Sequence, residues 1–363
     1  MDLGNLIKTL IVGGMFLLAF LNFSNALRVN KKANIWFGFF VLIWSSFWLD
    51  EMIYPAQTFP SDSIFFSLRF LQFMVPLVFL GSVVFYTNPH YKFKKRDLLF
   101  LVLPIIFLSV MFLGKNHEFK GYKTILMGLF FTQALACNVL AYFKVQKHQK
   151  VIESFSSNTY NIDLSWIKYI IYFCLLCSVF FLMLNLIYPD RDLNSLTNLF
   201  FLFILYLVTF YSIRQVEIFP VGLKLEETLE SASSISSENS DAKVKLMSDK
   251  ELLEAKSRLA KLMESEEVYL DSELNLVKLA QRMNLNSHQL SYIINSGFEV
   301  NFFQYINAYR VEKAKKLLVD PDMEAYNMVS IGFASGFNSK TAFNTVFKNM
   351  TGQTPSEFRQ SKS

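Results

Sequence analysis

An all-α protein that lives in two solvents is the fold class this sequence predicts, and three observations predict it. Up to about Arg214 the chain falls into apolar runs of roughly 17–25 residues, the length that crosses a hydrocarbon core. Beyond Pro220 the charged fraction rises sharply, and from Leu274 onward a short helical pattern occurs twice. Hydrophobic residues make up 52% of the 363, with 39 phenylalanines, more apolar surface than a soluble protein readily covers. The expected architecture is an N-terminal bundle of seven transmembrane helices (1–217), a flexible linker (218–245) and a C-terminal helical domain (246–363).

The seven spans are placed at 4–23, 34–51, 63–87, 98–114, 124–143, 166–188 and 195–213. In lipid each backbone must satisfy its own polar groups, so helices are expected. The first run opens with Asp2, lacks a basic leader and is followed by Arg28, Lys31 and Lys32, which reads as a retained span with its N-terminus outside. Loops one, three and five carry ten basic residues, against four in loops two, four and six. The positive-inside rule then puts the odd loops and the C-terminus in the cytoplasm. Loop four, with Lys115, Lys120 and Lys123, runs against the trend.

Several function classes lose support at this level. Cys137, Cys174 and Cys177 all fall in apolar runs, so no disulfide framework is implied, and Cys174-x-x-Cys177 reads as packing. His90, His117, His148 and His288 lie in separate elements without metal-ligand spacing. There is no Ser/His/Asp arrangement and no glycine-rich phosphate loop, so neither an enzyme nor a cofactor or metal is expected. Polar residues inside the spans are costly and therefore candidates for a sensor pocket: Asp50, Glu51, Arg69, Gln72, Gln133 and Asn185. Two readings stay open: an acid–arginine pair lining an outer ligand pocket, or Arg69 snorkelling to the headgroups with the amides serving as interhelical glue.

The linker is rich in serine and glutamate and cannot bury enough apolar surface to order itself. A helix follows at about 247–265, with Leu252, Ala255, Leu259 and Leu262 on one stripe, best read as the first helix of the next domain. Then come two helix-turn-helix units. In the first (274–296), Leu276, Leu279, Ala280 and Met283 mark one helix and Asn284-Leu285 the turn. Asn286 caps a second helix that buries Leu290, Ile293 and Ile294. In the second (328–350), Ile331 and Gly332 lie on the first helix, Gly336-Phe337-Asn338 form the turn, and Ser339 caps a helix burying Phe343, Val346, Phe347 and Met350. A long helix marked by Phe302, Phe303, Ile306, Ala314, Leu317 and Leu318 joins them and ends before Pro321.

Helical phase turns polar side chains outward on both second helices: Ser287, His288, Ser291, Tyr292 and Asn295 on one, and Ser339, Lys340, Thr341, Asn344, Thr345 and Lys348 on the other. These residue types reach base edges and phosphates when such a helix enters the major groove. Charge is mild: ten Lys/Arg against six Asp/Glu from Asn275 to Ser363.

From Tyr269 to Arg359 the sequence resembles the AraC/XylS family of bacterial transcription regulators. The residues that carry the resemblance are Leu279-Ala280, Leu290-Ser291, Phe303, Asn307, Arg310, Ala314, Leu317-Leu318, Ile331, Gly336-Phe337, Ser339, Phe343, Phe347-Lys348, Gly352, Pro355 and Arg359. The resemblance implies a seven-helix, two-motif domain that binds double-stranded promoter DNA. Gly332 stands where the family usually has Ala, a swap that small-residue packing tolerates. Thr345 stands where Arg or Lys is frequent, which weakens a phosphate or guanine contact. The expected protein is a multi-pass regulator of the bacterial cytoplasmic (inner) membrane whose bundle lies in the lipid bilayer and senses an unknown small-molecule or membrane signal, with a homodimer as one possible state. Two alternatives stay open: an anchor released by proteolysis within 220–245, and a C-terminal bundle that binds a protein instead of DNA.

Overall fold

The computed structural model describes residues 3–25, 30–54, 59–117, 121–159, 162, 164–187, 194–214, 246–323 and 325–362, so the expected linker lies outside the described residues. Those residues are predominantly helical, with one isolated bridge, Ser156 to Asn275, and no strand among them. The chain divides into two compact units, one of Met1–Lys147 with Leu164–Ile218 and one of His148–Asp163 with Phe219–Ser363.

The first unit contains α1 (Leu3–Ser24), α2 (Lys31–Ile53), α3 (Asp62–Phe73), α4 (Val75–Thr87), α5 (Val102–His117), most of α6 (Tyr122–Glu153), α7 (Ser165–Ile187) and α8 (Asn194–Arg214). The second helix sits at its centre, packed by α1, α3 and α4, while α8 packs on α1 and α7. Rings fill the interior: Phe40 lies 5.0 Å from Phe79, Trp44 5.0 Å from Phe201, and Phe73 stacks on Phe107 at 4.0 Å. The outside is as apolar as the inside, with Phe20, Leu99, Ile105 and Phe112 fully presented. Five stretches, Leu3–Ser24, Lys31–Ile53, Asp62–Thr87, Lys95–Gly114 and Thr124–Glu153, are long and apolar enough to cross a membrane, and shorter apolar helices are described at Ser165–Leu176 and Thr197–Ser212.

Two departures from the expected spans have local causes. The 63–87 run is two helices broken at Met74, because Pro76 has no amide to donate and its ring clashes with the preceding turn. The Phe73 carbonyl at the break is instead satisfied by Gln133 Nε2 at 2.7 Å. The fifth run, expected to end at 143, continues as helix to Glu153. A helix of 32 residues is about 48 Å long and outreaches a core of about 30 Å, so Lys144, Lys147 and Lys150 lie on a helical extension rather than in a loop.

The second unit contains α9 (Asp249–Glu266), a 3₁₀ turn (Val268–Leu270), α10 (Leu276–Arg282), α11 (Ser287–Tyr292), α12 (Phe302–Val319), α13 (Met328–Ala334), α14 (Lys340–Thr351) and α15 (Pro355–Gln360). Polar caps mark the starts: Ser248, Asn275, Asn286, Asn301, Asn327, Ser339 and Thr354 each accept the amide three residues on. The stripe on α9 packs within this unit. Leu259 and Met263 are buried, the Lys256 ammonium lies 4.8 Å over the Phe298 ring, and Arg258 donates to the Met283 carbonyl at 3.2 Å. One core joins α12 to the second motif through Val311, Ala314, Leu318, Ile331, Phe337, Phe343, Val346 and Phe347.

Glycine chemistry sharpens this packing. Gly336 has φ +88°, and a Cβ there would meet the Tyr269 carbonyl oxygen at 2.6 Å and Leu270 Cα at 2.9 Å. Gly352 has φ +80° but open space around it. Gly336→Ala is therefore expected to cost about 2–5 kcal/mol, left-handed strain plus a backbone clash, and Gly352→Ala only about 1–2 kcal/mol. Amide exchange across α13 and α14 in the full chain checks the contrast.

Candidate nucleic-acid interface

The second motif is built from its turn. Asn327 Oδ1 accepts from the Ser330 amide at 2.9 Å to start α13, and Ser335 Oγ donates to the Ile331 carbonyl at 2.8 Å near its end. The chain then reverses through Gly336, with the Phe337 amide donating to the Gly332 carbonyl at 3.0 Å. Ser339 Oγ accepts from the Ala342 amide at 3.1 Å and opens α14, which ends on left-handed Gly352. One expectation changes here. Met350 is exposed rather than part of the core, because it lies beyond the face that Phe343, Val346 and Phe347 turn toward α12. The glycine at 332 is demanded by its neighbour: a Cβ would lie 2.8 Å from Phe343 Cδ1, so alanine would force that ring to move.

On the opposite side of α14, Lys340, Thr341, Thr345 and Lys348 are exposed and Asn344 is half-buried, positions that share one helical face. Ser339 is half-buried and used as the cap. Among the described residues neither Lys340 nor Lys348 joins an ion pair, which leaves two ammonium groups at this face.

The first motif follows the same plan with a less regular second helix. After α10, Asn284 takes φ +55° and the Leu285 amide donates to the Ala280 carbonyl at 2.9 Å. Asn286 and Gln289 form a reciprocal capping box that starts α11, which continues as a π turn over Ile293–Gly297. His288 is exposed, while Ser287, Tyr292 and Asn295 are half-buried. Ser291, expected on the outer face, is buried, its hydroxyl accepting from Asn295 Nδ2 at 3.1 Å. It flanks Leu290 at the edge of the buried face of α11. Basic side chains around this motif are paired: Lys278 with Asp271 at 3.4 Å, Arg282 with Glu266 at 3.6 Å and Lys313 with Glu267 at 2.8 Å. The hydrogen bonds from Lys313 and Tyr269 hold the Glu267 carboxyl below its ordinary range.

Behind both motifs lies a group whose role was not apparent from the sequence pattern. Arg310, on α12, is 1% exposed and donates to the carbonyls of Tyr269 (2.7 Å), Asp271 (2.8 Å) and Ser157 (3.3 Å), to Ser157 Oγ (3.1 Å) and to Asn307 Oδ1 (3.4 Å). Burial pulls its pKa down to about 10, opposed by the Asp271 and Glu273 carboxylates, so it stays a cation at neutral pH.

Of the polar residues predicted within the spans, three come together. Asp50 accepts from Arg69 Nη1 at 2.9 Å and from Gln72 Nε2 at 3.0 Å, Arg69 also donates to Gln72 Oε1 at 2.7 Å, and the rings of Phe59 and Phe65 flank the guanidinium. Glu51 turns to Lys8 at 2.7 Å, and Gln133 is engaged at the α3–α4 break. Asn185 lies in α7 with its side chain outside the described residues. Among the described residues no cluster of His, Cys, Asp or Glu could hold a metal ion.

Residues 279–361 match the family described as "Helix-turn-helix domain". Over 89 residues the chain is 30% identical to the arabinose operon regulatory protein of Salmonella typhimurium and 29% identical to the Msm operon regulatory protein of Streptococcus mutans. Each match covers 24% of this chain and 31% of the relative. It is 30% identical over 92 residues to an uncharacterized HTH-type transcriptional regulator of Bacillus subtilis, covering 25% of this chain and 12% of that protein. The chain thus spans no more than 31% of the length of these relatives. No solved structure matches it. Fold and matches together define the C-terminal unit as a helix-turn-helix domain. More narrowly, residues 279–361 form a domain of the AraC type.

The caps give a direct check on this geometry. Ser339→Ala removes the acceptor for the first amides of α14 and is expected to cost about 1 kcal/mol, while Ser339→Asp costs only tenths. Chemical denaturation followed by exchange in α14 distinguishes the two.

Proposed function

We propose that the chain is a membrane-tethered transcription regulator whose C-terminal domain binds double-stranded promoter DNA through α11 and α14. The observation that carries this reading is the pair of capped second helices within one unit, α14 held on α12 by a shared core with Lys340, Thr341, Thr345 and Lys348 outward. A mount of that kind lets one protomer enter two successive major grooves, about 34 Å apart. Lys340 and Lys348 supply phosphate contacts, and Asn344, His288 and Tyr292 are of a chemistry that reaches base edges.

The apolar unit is read as the membrane-embedded sensor, supported by five long apolar helices and by loop charges that favour a cytoplasmic C-terminus at a bacterial inner membrane. The Asp50–Arg69–Gln72 cluster, an ionisable group set among phenylalanines, is the candidate signal site.

Selection of random DNA by the full chain in detergent or nanodiscs tests the reading, and a defined consensus is expected. Asn344→Ala should weaken binding to that consensus about 5–100-fold and relax preference at one or two positions. Lys348→Ala should weaken binding to all sequences alike and lower the salt slope by about one. Recovery of no consensus, with both variants binding like the parent, would mean that the domain binds a protein instead.

Topology has its own check. With Cys137, Cys174 and Cys177 replaced, a cysteine at Ser61 should label from outside intact cells, and one at Lys94 only after permeabilisation. The reverse pattern would place the helix-turn-helix domain away from DNA.

A further inference from the structure

The second unit contains a segment that DNA reading does not use. Residues Glu153–Asn158, which follow the last turns of α6, belong to the helix-turn-helix unit and are laid into it like a short edge strand. Ser156 forms the antiparallel bridge with Asn275, and the Leu276 amide donates to the Phe155 carbonyl at 2.9 Å. Ser157 Oγ donates to the Leu274 carbonyl at 2.6 Å and accepts from Arg310 Nη2 at 3.1 Å. Its carbonyl accepts from Asn307 Nδ2 at 3.1 Å and from Arg310 Nη1 at 3.3 Å. Asn301 Nδ2 donates to the Glu153 carboxylate at 3.3 Å.

Two features make this a specific seat. Arg310 and Asn307 are fully buried, and Ser157 supplies two of the acceptors around the guanidinium; withdrawn, it would leave a buried cation short of partners. Leu276 is the first residue of α10, so its amide has no acceptor inside the helix, and Phe155 provides one. The outward residues of α11 and α14 are not among the residues this segment touches, so it does not act by blocking the reading face.

We propose that Leu274, Asn275, Asn307 and Arg310 form a docking site for the chain's own Phe155–Ser157 segment, and that its occupancy sets the order of the first helix-turn-helix unit. Docked, the segment fixes α10 and lets α12 present α11; released, Leu276 and Arg310 lose acceptors and that unit loosens. Because the segment continues directly from α6, a displacement of that helix bears on the bridge itself. The consequence for DNA rests on the function proposed above and gives it a route of regulation.

The test uses the full chain in nanodiscs with the three native cysteines replaced by alanine. A Ser156→Cys/Asn275→Cys pair sits at a bridge, where Cα atoms are about 4.5–5.5 Å apart and within disulfide reach. Mild oxidation should cross-link it far faster than a Ser156→Cys/Ser330→Cys control. Ser157→Ala should lower amide-exchange protection of residues 276–283 about tenfold relative to α14, the weight of one hydrogen bond to a charged group, and weaken DNA binding to a similar degree. No cross-linking above the control, or unchanged protection of 276–283 in Ser157→Ala, overturns the proposal; so does tighter DNA binding by that variant, which would make the contact inhibitory. If cross-linking and protection come out as expected but no variant selects DNA, the docking site stands and the DNA-reading function falls.

Discussion

The buried guanidinium of Arg310 is the interaction on which the C-terminal unit is organised. A cation withdrawn from water is costly unless its donors are matched, and here they meet carbonyls and a hydroxyl rather than a carboxylate. Each acceptor comes from a different piece of chain: the 3₁₀ turn at Tyr269, the approach to α10 at Asp271, and the stretch after α6 at Ser157. The turn of the second motif must also make way, since a Cβ on Gly336 would come within 3.2 Å of Arg310 Nε. The ring of Phe337 lies 5.8 Å from the guanidinium. One side chain therefore constrains both motifs, and the glycine in the second turn is fixed by that approach as well as by its positive φ.

The two motifs then differ in ways that follow from their surroundings. The second rests on an aromatic core, with Phe343, Phe347 and Phe358 in successive edge contacts, and its helix is regular for three turns. The first has a six-residue helix that widens into a π turn packed against α9. Three of its nearby cations, Lys278, Arg282 and Lys313, are tied to carboxylates, whereas Lys340 and Lys348 are not in ion pairs among the described residues. On the proposed function, attraction to a phosphate backbone would be concentrated on α14, and the first motif would depend more on the shape and polar edges of α11.

Much of this was legible in the sequence because the signals were local. Caps at Asn286 and Ser339, the left-handed turn at Gly336 and the spacing of Phe343 and Phe347 each reflect a requirement met within a few residues. Ser291 was misplaced because it flanks the buried Leu290 at the edge of the inward face, and Met350 because the stripe was carried past the end of its buried part. Gly332 read as a tolerated swap, and the structure adds that a Cβ there would lie 2.8 Å from Phe343 Cδ1, a neighbour from the other helix of the motif. The Ser157 contacts were invisible for a stronger reason: their partners are 117 to 153 positions away. One clue was present. Ile152 and Phe155 are apolar residues in a stretch expected to face the cytoplasm beside Lys147 and Lys150, and both are buried.

That stretch changes how communication between the halves can be understood. A flexible serine-rich tether can raise the local concentration of a domain but transmits position poorly, because such a chain absorbs displacement in its own entropy. The segment from His148 to Asp163 is different in kind. It leaves the apolar unit at Lys147 and re-enters it at Leu164, and between those points it is part of the helix-turn-helix unit. Lys147 to the bridge residue Ser156 is a short path, and the part up to Glu153 is helix, which is stiff on this scale. On the docking proposed above, a rotation or shift of the last turns of α6 would reach Ser157, and through it Arg310, over a few residues of chain. Since Arg310 is held by groups from several elements at once, loss of two acceptors acts on the packing of the whole first motif, which is how a small displacement becomes a change between discrete states.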